Sequence, residues 1–163
     1  MQADQAAGLR HQKSKRNAQV VSLFSFQSGW APRLAQGLEA HGSRVLLVDT
    51  TGRQAAASKT QSIFGWQAQV AHQYLQPVTV AGIDTLQAPG ASVGDVAIVR
   101  AGVGRDCVLF DGGRMPTETL RLDAVLAQTF VVEVSTAPEV LCNTYGFIKT
   151  LYLNQLNMRV ILC

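Results

Sequence analysis

Apolar residues along this chain fall into short, near-continuous runs separated by longer stretches with helical spacing. The runs Val20 to Ser25 and Val45 to Val48 are bounded by turn residues, and the roughly eleven residues before His41 repeat apolar positions every three or four. Trp30, Leu34 and Leu38 stand four apart, with Ala31 and Ala35 beside them. Pro32 is tolerated because it falls in the first turn, and Gly42 stops the helix. Strand, helix and strand in this order predict a βαβ unit from Gln19 to Asp49, with the ligand crevice at the carboxyl ends of two parallel strands. The loop Phe26 to Ala31 and the acid Asp49 are therefore expected to face one place.

Residues 50–61 are small and polar, a loop at the same edge. Ile63 to Leu75 reads as a helix ending before Pro77, a weaker helix is expected over Thr79 to Gln87, and Pro89-Gly90 signals a turn. Three more apolar runs follow, Val96 to Val99, Cys107 to Phe110 and Phe130 to Val134, with a helical pattern through Leu120, Val125 and Leu126 between the last two. Glu139 to Leu156 reads as a long helix carrying Thr144, Phe147, Ile148 and Leu151 on neighbouring turns. Met158 to Leu162 reads as a last strand, expected either at a sheet edge or where the sequence is shorter than its parent fold. Near-continuous strands alternating with helices predict an α/β fold, a mostly parallel sheet with helices on both faces. Upstream, residues 3–12 form a short helical pattern with Asp4 near its start and Ala6, Ala7 and Leu9 as its apolar face, too short to be stable alone. Two regions result: residues 1–18, an N-terminal helix and basic linker, and residues 19–163, the α/β domain.

The 163 residues, 47% hydrophobic and 15% charged, suit one domain with a real core. No apolar run approaches the ~18 residues of a membrane span, and the polar, basic start is unlike a secretory signal, so a cytoplasmic protein is expected. Cys107, Cys142 and Cys163 are irregularly spaced, giving neither a disulfide framework nor a metal-ligand pair, and are expected to be reduced and inert. Of the net charge of +3, much sits in Arg10, Lys13, Lys15 and Arg16. Such a cluster attracts anionic lipid at about 1 kcal/mol per charge, but a solvated linker is the simpler reading, so membrane contact is expected to be weak and peripheral at most. Without interleaved aromatics no nucleic-acid partner is expected. His11, His41 and His72 have no acid or nucleophile at a useful spacing, and Trp30 and Trp66 read as core or partner-facing anchors.

The segment "VVSLFSFQSGWAPRLAQGLEAHGSRVLLVD" resembles the opening of the MinD/ParA class of P-loop ATPases, in which a strand, a glycine-rich phosphate loop, a helix and a strand ending in Asp follow one another. "VAIVRAGVG" (Val96 to Gly104) is similar to the next strand of that class, "DCVLFDGG" (Asp106 to Gly113) to its Walker B strand, and "VVEVSTAPEVLCNTYGFIKTL" (Val131 to Leu151) to the strand, Thr-x-Pro-Glu turn and helix that follow. "DQAAGLR" (Asp4 to Arg10) resembles the N-terminal motif of the FlhG (FleN) branch, regulators of flagellar number and position. That resemblance implies a partner, an FlhF-like signal-recognition-type GTPase, contacted through Asp4, Gln5, Leu9 and Arg10. It also implies a possible homodimer, and, in an active member, ATP and Mg as cofactors.

The phosphate loop departs from that pattern. Such a loop works because glycines aim backbone N–H groups at the phosphates, a Lys neutralises charge, and a Ser or Thr hydroxyl holds magnesium. Here Phe26-Gln27-Ser28-Gly29-Trp30-Ala31-Pro32-Arg33 has one glycine, no lysine and no hydroxyl where the metal ligand belongs, and Pro32 removes an N–H. The family's Asp-x-Asp is replaced by Asp49-Thr50-Thr51, while Asp111 stands at the Walker B position. An acid at a strand end is equally a loop anchor. Losing three charge-assisted hydrogen bonds at roughly 1.5 to 3 kcal/mol each removes most of the ~8 kcal/mol of a micromolar site. What remains of the cofactor site is Ser28, Gly29, Arg33, Asp49 and Asp111, with Asp111 the only candidate metal ligand, and no catalytic residue is expected. The expectation is a non-catalytic FlhG-like adaptor; the alternative is an active ATPase with a divergent loop that dimerises on ATP.

Overall fold

The computed structural model describes residues 18–25, 29–52, 77–91, 102–113, 129–153 and 159–163. They form strands β1 (Gln19–Phe24), β2 (Val45–Asp49), β3 (Val78–Val80), β4 (Ile83–Gln87), β5 (Cys107–Asp111), β6 (Thr129–Val132) and β7 (Arg159–Leu162), with helices α1 (Trp30–Ala40) and α2 (Pro138–Leu153). The strands make one seven-stranded sheet in the order β3-β4-β2-β5-β1-β6-β7. Every pairing is parallel except β3 with β4. This is the mostly parallel α/β sheet that the strand–helix alternation predicts.

The apolar runs read as continuous because both faces of the sheet are covered. Phe24, Leu46, Val48, Val108, Phe110, Phe130 and Val132 point to one face, where Phe147 and Leu151 of α2 pack on them. Val21, Leu23, Val45, Leu47, Leu109 and Val131 point to the other, against α1. Ala31 and Ala35 are the buried residues of α1, small enough to bring the helix close to the sheet. The α2 face is centred on three rings: Phe24 and Phe130 stack at 6.2 Å, and Phe147 meets them edge-on at 5.1 and 6.0 Å. Each such pair adds about 0.5–1.5 kcal/mol beyond the burial of its area.

Local chemistry bounds α1. At its start Gly29 adopts φ 82°, and no side chain caps the helix. At its end Gly42 adopts φ 85°, its N–H bonds the Glu39 carbonyl at 2.8 Å, and the Ser43 N–H bonds Leu38 at 3.1 Å. Those two bonds are a Schellman stop, as the position of Gly42 in the sequence predicts.

One expectation is overturned. Thr79 to Gln87 is not a helix: Val78 to Val80 and Ile83 to Gln87 form the β3–β4 hairpin, with Val80 opposite Ile83. Val78, Thr79, Val80, Ile83 and Thr85 are β-branched, and Ala81 (φ 50°) and Gly82 (φ 85°) supply the two positive φ angles of a primed two-residue turn. The helical patterns over 3–12, 63–75 and 120–126, the strand Val96 to Val99, Trp66, His11 and His72 lie outside the described residues, as does almost all of the 1–18 region.

Candidate functional site at the carboxyl edge of the sheet

Five adjacent parallel strands end in a buried polar residue. Gln87 closes β4, Asp49 closes β2, Asp111 closes β5, and Ser25 and Glu133 directly follow β1 and β6. All are buried, and Asp49 wholly so. Parallel register makes Asp49 and Asp111 direct neighbours. The βαβ reading thus places its acid correctly, at the crevice end of the strands.

The two acids hold their own loops. Asp49 Oδ1 accepts hydrogen bonds from the Thr51 N–H (2.9 Å), the Thr51 hydroxyl (2.7 Å) and the Gly52 N–H (2.9 Å). Asp111 Oδ1 accepts from the Gly113 N–H at 3.0 Å, and the Thr50 hydroxyl donates to the Asp111 carbonyl at 2.6 Å. The 49–52 and 111–113 loops also lie close together, since a Cβ on Gly113 (φ 66°) would lie 2.8 Å from the Thr51 methyl. Gly112 allows a similar close approach: a Cβ there would lie 2.7 Å from the Phe24 ring, and its N–H bonds Leu23 at 2.8 Å. The Asp-Gly-Gly run is therefore needed to let the end of β5 lie against β1.

A second buried pair escaped the sequence reading. The Ser25 hydroxyl donates to Glu133 Oε2 at 2.6 Å, while the Glu133 N–H bonds Phe24 and the Ser25 N–H bonds Gly113. These bonds pin the base of the β1–α1 loop to both neighbouring strands. The available signal was positional: each residue is the first polar side chain after an apolar strand run, as Asp49 and Asp111 are. The Cys163 thiol, at the same edge, is pushed up by burial and then by the Glu133 carboxylate. At the opposite edge, burial and then Asp106 push the Cys107 thiol up to about 11.

Other candidates are scattered. Ser28 lies outside the described residues, and Asp4, Gln5, Leu9 and Arg10 do too. Gly29 sits in the left-handed region at the start of α1, one helical turn from Arg33, which is exposed. The structure thus gathers Asp49 and Asp111, adds Ser25, Thr50, Thr51 and Glu133, and leaves Arg33 on the solvent side of α1. Trp30 packs against the α1-face core, and His41 Nδ1 lies 2.7 Å from the Gly37 carbonyl. Among the described residues no three His, Cys, Asp or Glu side chains form a metal-sized group, and no helix is long and apolar enough to cross a membrane.

No family model and no curated protein matches the chain. Solved structures do. The MinD cell division protein of Aquifex aeolicus matches with a TM-score of 0.60 at 15% identity, covering 89% of this chain and 69% of that one; in its complex with MinC the values are 0.63, 14%, 89% and 68%. MinD of Pyrococcus horikoshii complexed with Mg-ADP gives 0.52 at 16% identity, over 88% and 68%. pNOB8 ParA bound to nonspecific DNA gives 0.51 at 17%, over 83% and 61%. The fold is MinD-like.

Proposed function

We propose that this chain is a MinD/ParA-type regulator of the FlhG kind that acts by binding partners rather than by hydrolysing ATP. The carrying observation is that Asp49 Oδ1 accepts three hydrogen bonds from its own loop and Asp111 Oδ1 one. Carboxyl oxygens used in this way act as loop anchors. In sequence, the Phe26-to-Arg33 segment offers one glycine and no lysine, and Arg33 is exposed on α1. Such a loop lacks the lysine charge and the consecutive glycine N–H groups with which a phosphate cradle holds ATP and Mg. Function then rests on surfaces: the fold's neighbours include a MinD in complex with MinC, and the DQAAGLR motif resembles the FlhG segment that engages an FlhF-like GTPase.

The test is a binding titration between the full chain and an FlhF-like GTPase, with Leu9→Asp as the comparison. Micromolar or tighter binding abolished by Leu9→Asp supports the reading; equal binding by both forms removes it. The second reading, an active ATPase with a divergent loop, draws support from the neighbour that carries Mg-ADP and from the paired acids at the sheet edge. Saturable micromolar binding of ATP with magnesium in a calorimeter would favour it over ours.

A further inference from the structure

We infer that Thr50 is a clasp that makes the loops at the carboxyl ends of β4, β2, β5, β1 and β6 open and close as one unit, so that a contact made at one end of this edge alters the other. This goes beyond the regulator reading and does not depend on it, because it concerns how the loops move with or without a partner or a nucleotide.

The register between β2 and β5 ends at Asp49 and Asp111. One residue on, the half-buried Thr50 takes over: its hydroxyl donates to the Asp111 carbonyl at 2.6 Å, and its carbonyl accepts from the Gly90 N–H at 3.0 Å. One residue of the β2 loop thereby holds the turn after β4 on one side and the end of β5 on the other. The bonds continue from there. The Gly113 N–H bonds Asp111 Oδ1 at 3.0 Å, the Gly113 carbonyl accepts from the Ser25 N–H at 2.9 Å, and the Ser25 hydroxyl donates to Glu133 Oε2 at 2.6 Å. Gly90, Thr50, Asp111, Gly113, Ser25 and Glu133 thus form one chain of bonds across five strand ends, in the sheet order β4-β2-β5-β1-β6.

The links of this chain are unequal. Loops 49–52 and 111–113 are each fastened within themselves by a carboxylate, through the Asp49 bonds to Thr51 and Gly52 and the Asp111 bond to Gly113. Charge-assisted bonds of this kind are roughly twice as strong as neutral ones. The Thr50 link between the loops is a neutral hydroxyl on a carbonyl. Each loop therefore keeps its own shape, and the joint between them is where the edge gives. Close packing makes the joint cooperative: with a Cβ position on Gly113 only 2.8 Å from the Thr51 methyl, the β5 loop has no room to slide across the β2 loop while the clasp is shut. Contiguous units of this sort open locally, below the free energy of global unfolding.

Amide hydrogen exchange followed by NMR on the full chain tests this. Thr50→Val keeps the shape of the side chain and removes the donor. It should speed exchange roughly three- to tenfold at Gly90, Gly113 and Ser25, while the Asp106 and Cys107 N–H groups, which bond the Arg44 carbonyl at the opposite ends of the strands, keep their rates. Thr50→Ser retains the hydroxyl and should match wild type. Coupling is reciprocal, so Ser25→Ala, which cuts the bond to Glu133, should speed exchange at Gly90 three strands away. Rates at Gly113 and Ser25 unmoved by Thr50→Val, a Gly90 rate unmoved by Ser25→Ala, Thr50→Ser behaving like Thr50→Val, or a uniform rise that includes Asp106 and Cys107 overturns the proposal.

Discussion

At the carboxyl ends of the central strands Ser25, Asp49, Gln87, Asp111 and Glu133 are buried, whereas at the amino ends Arg44 and Asp106 pair with side chains 62% and 50% exposed. The same strands therefore carry two kinds of polar chemistry. At the carboxyl edge each group has left water, so its hydrogen bonds must be made within the protein, and removing one partner strands the other. At the amino edge water screens the pairs and replaces them easily when they are lost. The Arg105–Asp84 pair, about a quarter to a third exposed, lies between these limits. A buried polar edge at the ends of parallel strands is what a ligand site requires, and here much of its bonding capacity closes loops.

The largest expected effect is Asp49→Ala, which leaves the Thr51 N–H, the Thr51 hydroxyl and the Gly52 N–H without their acceptor. Urea denaturation should show a loss of about 3 kcal/mol. Asp49→Asn keeps one acceptor oxygen and should lose about a third of that; equal losses would mean that charge, not loop anchoring, is what Asp49 supplies.

Gly112→Ala should cost about 2 kcal/mol by the same measurement, because its methyl meets the Phe24 ring at 2.7 Å and Leu23 carbonyl oxygen at 3.1 Å. A neutral result would show that the end of β5 can move away from β1.

Ala81→Gly should stabilise by about 0.5 kcal/mol, since φ 50° at a non-glycine residue is strained and Gly82 beside it is already suited to the turn. It probes the edge hairpin without touching either strand end.

Cys107 gives a pH signature at the amino edge. Its thiol is held at about 11 in the fold, against 9.0 for the ordinary group, so the unfolded chain deprotonates first. The stability it contributes is present below pH 9.0 and is lost as the pH rises from there through about 11. Cys107→Ser should flatten that alkaline fall, and in native protein near neutral pH a thiol reagent should label exposed Cys142 while sparing Cys107. The smallest effect is expected for Arg44→Ala, which should leave the denaturation midpoint unmoved within error despite its bidentate geometry to Asp106.

Much of the fold was legible in local pattern. The strand runs at β1, β2, β5, β6 and β7, the α1 helix with its Gly42 stop, and α2 with Phe147 and Leu151 inward all match the apolar periodicity. The β3–β4 hairpin was not, because Ala81 is an unusual residue for a positive φ and the turn signal is correspondingly weak. Of the site, Asp49 and Asp111 were legible because an acid closing an apolar run at a βα junction stands out. Ser25 and Glu133 were not, since 108 positions separate them and only the β1–β6 pairing makes them partners.

The sequence by itself determined which segments can be strands and helices, and that the β1–α1 loop lacks the glycines and lysine of a phosphate cradle. Periodicity and side-chain chemistry are local properties. Only the tertiary structure decided the strand order, which sets Asp49 beside Asp111 and turns their oxygens onto the backbones of residues 51, 52 and 113. Those outcomes depend on which strands pair across long sequence separations, and a pairing choice is settled by burying both faces of the whole sheet at once.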